Sequence, residues 1–191
     1  PAKPIEIYPP TPELAAPLLD HAPFFLGDDA GNYVVRQSWT FLGNTPTLPV
    51  TAWLYTIGRN ENLQSIPHQS RLLSEWVSAQ RKHCASHGKN KTEPILGNSS
   101  LDPRINDFIC RGETRFIDYY GPPKTLPMVS YSDVREGRIK GFKGKTVFVG
   151  QVPRKMLPGV DSFVTPFTDT DSGKMAGVEV MATVFANFHE G

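Results

Sequence analysis

The chain has 191 residues, 39% of them hydrophobic and 20% charged, with a formal net charge of +1. That length suffices for one domain of ordinary size with a real core. The near-neutral charge, with no long Lys/Arg run, excludes binding of nucleic acid or anionic membrane by charge alone, and no run of about 18 apolar residues is present to span a bilayer. The 18 prolines and 16 glycines are spread along the chain, which marks turns and loops rather than a disordered tract.

In chain order, Pro9-Pro10-Thr11-Pro12 precedes a helix over Glu13–Leu19, with Thr11 as its N-cap candidate. Phe24–Gly27 reads as a short strand, Asp28–Asn32 as a turn, and Tyr33–Leu42 as a β-branched and aromatic strand ended by Gly43-Asn44. The acidic-glycine turn between two such runs predicts a hairpin. Thr47–Tyr55 reads as a helix with Pro49 in its first turn, and Leu72–Ala79 as a second short helix. Residues 81–111 are polar and punctuated by glycine and proline, and are expected to form a long surface loop or insertion.

Arg115–Tyr120 reads as a strand stopped by Gly121-Pro122-Pro123. Val129–Glu136 starts a short helix, with Ser130 or Ser132 as cap and Gly137 as stop. Thr146–Val149 is a continuous apolar run, which suits an interior strand. Val178–Phe188 is the last helix. Strands alternating with helices predict an α/β fold, a mixed β-sheet flanked by helices in a single domain spanning residues 1–191. There is no internal repeat.

Three pieces of the chain, in order, resemble the CHASE2 family. The first is Phe24–Gly27, Asp28–Gly31, Val34-Val35-Arg36 and Leu48–Ile57. The second is Tyr119-Tyr120-Gly121-Pro122-Pro123 followed by Ser130-Tyr131-Ser132-Asp133-Val134. The third is Lys143–Gly150, the loop with Asp161–Phe167, and Ala176-Gly177-Val178-Glu179-Val180. The chain departs from the family at Met181, where a histidine is usual. It opens on Pro1-Ala2-Lys3-Pro4, without methionine or targeting segment, and is expected to hold the later two thirds of such a domain, without its first strand and helix.

The resemblance implies an extracytoplasmic sensor domain, set between the membrane helices of a bacterial histidine kinase, nucleotide cyclase or Ser/Thr kinase. The expected location is the periplasmic or extracellular face of the cytoplasmic membrane, in a membrane-anchored full-length protein. The expected partners are a small-molecule or protein stimulus and a second copy of the chain, with no nucleic acid and no cofactor.

Site candidates come from residue patterns. On the last helix Val178, Met181, Ala182 and Phe185 are spaced i, i+3, i+4, i+7 as a core face, widened by Val180 and Val184. Glu179, Thr183 and Asn187 form a polar stripe at i+4 steps. One reading makes this stripe solvated. The other turns Glu179 toward the loop leaving Gly150, where ligands of open α/β sheets bind, and assigns Asp161, Thr165 and Glu179 to a polar pocket or a hydrogen-bond network. The network alone, without ligand, is the competing account.

Cys84 and Cys110 are either free thiols or a bridge. His83, Cys84 and His87, with Cys110 further on, allow a zinc reading that the surrounding polarity disfavours. Lys143-Gly144-Lys145 lacks the glycine spacing of a phosphate loop. No Gly-x-Ser-x-Gly and no paired carboxylate motif is present. A sensor is therefore expected rather than an enzyme, with a dimerisation or protein-interaction module as the alternative and a hydrolase well behind.

Overall fold

A computed structural model describes residues 22–24, 26, 34–60, 70–87, 103–152, 161–168 and 173–191. The expected helix at Glu13–Leu19 and the turn at Asp28–Asn32 lie outside these residues. The chain divides into two compact units, Pro1–Phe25 with Trp39–Thr114, and Leu26–Ser38 with Arg115–Gly191. The fold is α/β, as expected, but among the described residues the strands form three two-stranded sheets, β1 with β4, β2 with β3 and β5 with β6.

The first unit is helical. β2 (Phe41–Leu42) and β3 (Thr45–Pro46) pair antiparallel, Phe41 opposite Pro46 and Leu42 opposite Thr45. A two-residue loop joins them, and Gly43 supplies the positive φ (+61°) such a loop favours. Thr47 closes the corner before the first helix: its hydroxyl donates to Trp39 O at 2.8 Å. α1 (Leu48–Asn60) carries Pro49 in its first turn, where a missing N–H costs nothing. Val50, Trp53, Leu54 and Ile57 are buried along one face of α1, at helical spacing.

α2 (Ser70–His87) and α3 (Pro103–Cys110) complete this core with Leu73, Val77, Ile105, Phe108 and Ile109. Phe108 sits 4.5 Å from Trp53 and 6.0 Å from Phe41, ring centre to ring centre. The Arg81 guanidinium lies 4.6 Å over Phe41 and pairs with Glu113. Where a long loop is expected over 81–111, the residues up to His87 and those of Pro103–Cys110 are therefore helical. The polar composition conceals α3 because its apolar face is only Ile105, Phe108 and Ile109. Cys84 and Cys110 form a disulfide that ties α2 to α3, with Cα atoms 5.4 Å apart. The bridge consumes both thiols that the zinc reading needs.

The second unit is built on the last helix. β5 (Ser162–Phe163) and β6 (Met175–Ala176) pair antiparallel, and Gly177 N–H extends the ladder to Asp161 O. Val35 N–H donates to Val164 O at 2.7 Å, and Ile117 N–H to Arg36 O at 2.9 Å. β1 is Gln37–Trp39 and β4 is Thr114–Phe116, each three residues. A short helix, α4 (Tyr131–Arg135), has Ser130 at its N-cap position and a left-handed Gly137 beyond its end, matching the expected stop.

Thr146–Val149 departs from expectation. It pairs with no neighbouring strand among the described residues, and Val147 and Val149 are 50% and 75% exposed. Within the run only Phe148 turns inward, meeting Phe185 edge-on at 5.3 Å, while the backbone of the exposed Gly150 passes close to Val178. This alternation is the period of extended chain packed on one face, whereas the continuous apolar run predicts burial on both.

Candidate functional site

α5 (Gly177–Glu190) is enclosed on three sides. At about 100° per residue, Gly177, Val180, Met181, Val184 and Phe188 share one face, and all are buried. Val178 and Phe185, expected at the centre of the core, lie on one flank and are half-buried. There they receive Gly150 and Phe148. The burial therefore centres about a quarter-turn from the expected face. Gly150 is required by contact rather than by φ, since an added Cβ would fall 2.5 Å from the Val178 Cβ.

The polar stripe occupies the opposite flank. Glu179 and Thr183 are buried, at 5% and 2% exposure, so the solvated reading fails. Each member of the stripe has a partner. Thr183 donates its hydroxyl proton to Glu179 O at 2.9 Å. Asn187 accepts from Asp118 N–H at 3.0 Å and donates to Asp118 O at 2.9 Å, two bonds to one backbone residue. Its amide also reaches the Tyr120 hydroxyl at 3.3 Å, which in turn donates to Glu190 Oε2 at 2.7 Å. Burial first, then the Glu190 hydrogen bond, push the Tyr120 hydroxyl above its usual pKa.

Glu179 Oε1 accepts Lys124 N–H at 2.6 Å. The backbone N–H groups of Leu126 and Thr125 also favour its charged form. The carboxylate thus fills a cradle of successive backbone donors. The loop is shaped for this. Thr125 N–H returns to Pro122 O at 3.2 Å, and the Thr125 hydroxyl donates to the same oxygen at 2.6 Å. Pro123 takes the first central position of that turn and Lys124 the second, with φ +74°. Glycine usually fills the second position of such a turn, so the loop holds a lysine in a conformation that costs about 1 kcal/mol.

Residues 118–126 therefore form a strap along α5. One end is held by Asn187 and Glu190, the other by Glu179. Upstream, the buried Tyr119 donates its hydroxyl proton to Val35 O at 3.1 Å, and burial pushes its pKa well up.

Of the expected site residues, Glu179 and Asp161 meet the same end of α5. The Asp161 carboxylate lies on Gly177, where any side chain would collide with it. Its own side chain is exposed. Thr165 is 1% exposed and serves its own turn. Its hydroxyl accepts from Phe167 N–H at 3.3 Å, its N–H donates to Thr168 Oγ1 at 2.8 Å, and Thr168 N–H returns to Thr165 O at 2.9 Å. Tyr120, Asp118 and the 124–126 donors are the participants that side-chain patterns miss, because most of the bonds use backbone atoms. The i+4 spacing of the stripe was the available trace of them.

Comparison with protein families matches the CHASE2 domain over residues 20–190. The chain belongs to the CHASE2 family. CHASE2 domains are extracytoplasmic sensor domains and not catalytic ones, in line with the resemblance of the three sequence pieces. No match was found among curated proteins or among solved structures. Among the described residues no helix is long and apolar enough to cross a membrane.

Proposed function

We propose that this CHASE2 domain is the sensory input of a bacterial membrane receptor whose output is a histidine kinase, nucleotide cyclase or Ser/Thr kinase. It works at the periplasmic or extracellular face, within an integral membrane protein, as a homodimer. The transmitting element is α5. The observation that carries this reading is the strap: residues 118–126 grip the helix near both ends. A stimulus that binds one strap position better than another biases the helix with it. The Cys84–Cys110 bridge supports an oxidising compartment.

Asp161, Thr165 and Glu179 remain the proposed contacts for a small ligand. Glu179 and Thr165 are engaged by backbone groups, so a ligand that uses them displaces the strap or the 165–168 turn. Asp161 is exposed and needs no displacement. Cysteine crosslinking along α5 in the full-length receptor tests the transmission. Efficiencies should change at positions 178, 182 and 186 when the stimulus is added, and identical patterns would rule the lever out. Native mass spectrometry of the gently purified protein tests the ligand: a reproducible adduct should vanish in Asp161→Ala.

A second reading, an interaction module without small ligand, is favoured by a different observation. The large exposed apolar residues among those described all lie between Phe116 and Phe167, including Val129, Tyr131, Val147 and Val149. Large apolar side chains left exposed in one stretch of the chain favour a partner surface there. A dimer that Val149→Lys dissolves, with no adduct in the native spectrum, would move the assignment to this reading.

A further inference from the structure

We infer that the segment 146–150 is an open strand edge that pairs antiparallel with the same segment of a second copy of the chain, on a two-fold axis through Phe148. The pairing deepens the homodimer of the receptor reading and rests on that reading for its role in signalling.

The segment is prepared for a strand partner. Thr146, Val147, Phe148 and Val149 are β-branched or aromatic, the residue types of strands. The left-handed Gly144 and the bond from Lys145 N–H to Phe142 O at 3.0 Å form a turn just before them. Phe148 is seated on Phe185 of α5 at 5.3 Å between ring centres, and Gly150 passes close to Val178 of the same helix. The segment is therefore held at two points on a rigid support. Yet among the described residues no hydrogen bond reaches the backbone of Val147, Phe148 or Val149, and the side chains of Val147 and Val149 are exposed. Unpaired N–H and C=O groups beside exposed valines are a template for another strand.

The sequence of the segment fits its own copy. Inward Phe148 and outward Val147 and Val149 keep their faces only in registers that match like with like, because a slip of one residue exchanges the faces. Of those registers, the one centred on Phe148 sets each Val147 opposite Val149 of the other copy. It puts the two Phe148 rings side by side on the helix face and leaves Lys145 opposite Gln151. The neighbouring registers oppose Lys145 to Val149, or Gln151 to Val147, and lose an apolar pair.

Antiparallel pairing also separates like charges and brings unlike ones together. The two Lys145 residues stand six positions apart along the pair, about 20 Å, which is beyond screened repulsion. The lysine end of each copy, Lys143 and Lys145, meets the Gly150 end of the other. Gly150 lies on Val178, and the exposed Asp161 lies on the adjacent Gly177, so that end carries a carboxylate. A foreign strand would have to reproduce this pattern, whereas a second copy supplies it. Five residues per chain bury less than the roughly 1,200 Å² of a stable interface. The pairing is accordingly weak between free chains and gains from the confinement of two tethered copies.

The test reads the 191-residue chain in solution. Sedimentation should show one chain at about 10 μM and mostly two at about 1 mM, the range for an interface of this size. Hydrogen-exchange protection within 147–149 should rise over the same concentrations. Val147→Lys and Val149→Lys should each weaken association about tenfold or more, since a charge replaces an apolar cross-strand contact. Phe116→Lys, at an exposed apolar position outside the segment, should leave association unchanged. When Val147→Cys and Val149→Cys chains are mixed under mild oxidation, the mixed disulfide should form about threefold faster than either symmetric one, because only these two positions lie opposite each other. A chain still monomeric at about 1 mM, symmetric crosslinks as fast as the mixed one, or a dimer that Phe116→Lys also dissolves would overturn the pairing. So would protection of 147–149 that appears only when another protein is added, which would assign the edge to a foreign strand. None of these readouts uses signalling, so a failed pairing leaves the sensor reading standing, and a receptor shown to signal as a monomer leaves the pairing measurable.

Discussion

Asn187→Ala tests whether the strap is held by the side chain that spans it. The substitution removes two hydrogen bonds to Asp118, at 3.0 and 2.9 Å, and a longer one to Tyr120. A net bond contributes about 0.5–1.5 kcal/mol. Water reaches this end of the strap, since Asp118 is exposed, which places each of the two short bonds near the lower half of that range. Their sum is about 1–2 kcal/mol, and the better helix propensity of alanine returns roughly half a kcal/mol. Net destabilisation should be about 0.5–1.5 kcal/mol, a fall in Tm of about 1–6 °C for a chain of this length. The local effect is sharper. Protection of the Asp118 amide should drop about tenfold, because its acceptor is the deleted Oδ1, while amides of α1 should not change. Urea unfolding gives the first quantity and hydrogen exchange the second. Unchanged Asp118 protection would show that Asn187 does not hold the strap, whatever happens to Tm.

Gly150→Ala should destabilise by about 1–2 kcal/mol: the new methyl meets Val178 Cγ2 at 2.8 Å, overpacking costs about 1–3 kcal/mol, and the stiffer unfolded chain returns about half a kcal/mol. A melting temperature at or above the parent's would refute the close approach. Replacing Cys84 and Cys110 together by alanine should cost about 3–4 kcal/mol in the chain-entropy estimate for a separation of 26 residues, and the loss should match that seen on adding reductant to the parent. Equal melting curves with and without reductant would contradict it. Tyr119→Phe leaves the carbonyl of Val35 without its hydroxyl donor and should cost about 1–2 kcal/mol, measured by urea unfolding. A neutral result would mean that water replaces the phenol.

The helices were the legible part. α1 and α5 announce themselves by apolar spacing, and both appear within a few residues of the expected bounds. α4 was legible through Ser130 and Gly137, one at each end. α3 was not, because eight residues with three inward apolar side chains look like a polar loop when read for composition. The strands were harder. Tyr33–Leu42 reads as one continuous strand, but its described part contains β1 and β2, separated by Thr40. Thr40 gives its N–H to Glu113 O and its hydroxyl to Gly112 O. These bonds go to residues more than seventy positions away, and local propensity carries no information about them.

The polar stripe shows why the site itself was only half legible. Helical spacing of Glu179, Thr183 and Asn187 establishes that they share a flank, but spacing cannot tell water from peptide as the partner of that flank. Both satisfy a carboxylate and an amide. What decides is the other side: a segment that offers its backbone needs a reason to leave its own sheet. Residues 121–126 have one in Gly121, Pro122 and Pro123. Two prolines remove two N–H groups that a strand would have used, and the turn they enforce at Lys124 presents the following N–H groups outward. A buried acceptor on the neighbouring helix then becomes the available partner, and Glu179 occupies that place. The Tyr-Gly-Pro-Pro turn and the Gly-Val-Glu helix start are thus two halves of one contact, separated by 55 positions. Each looks incomplete alone, which is why the resemblance to CHASE2 needed both in order, and why changing Glu179 should disturb the turn before it disturbs the helix.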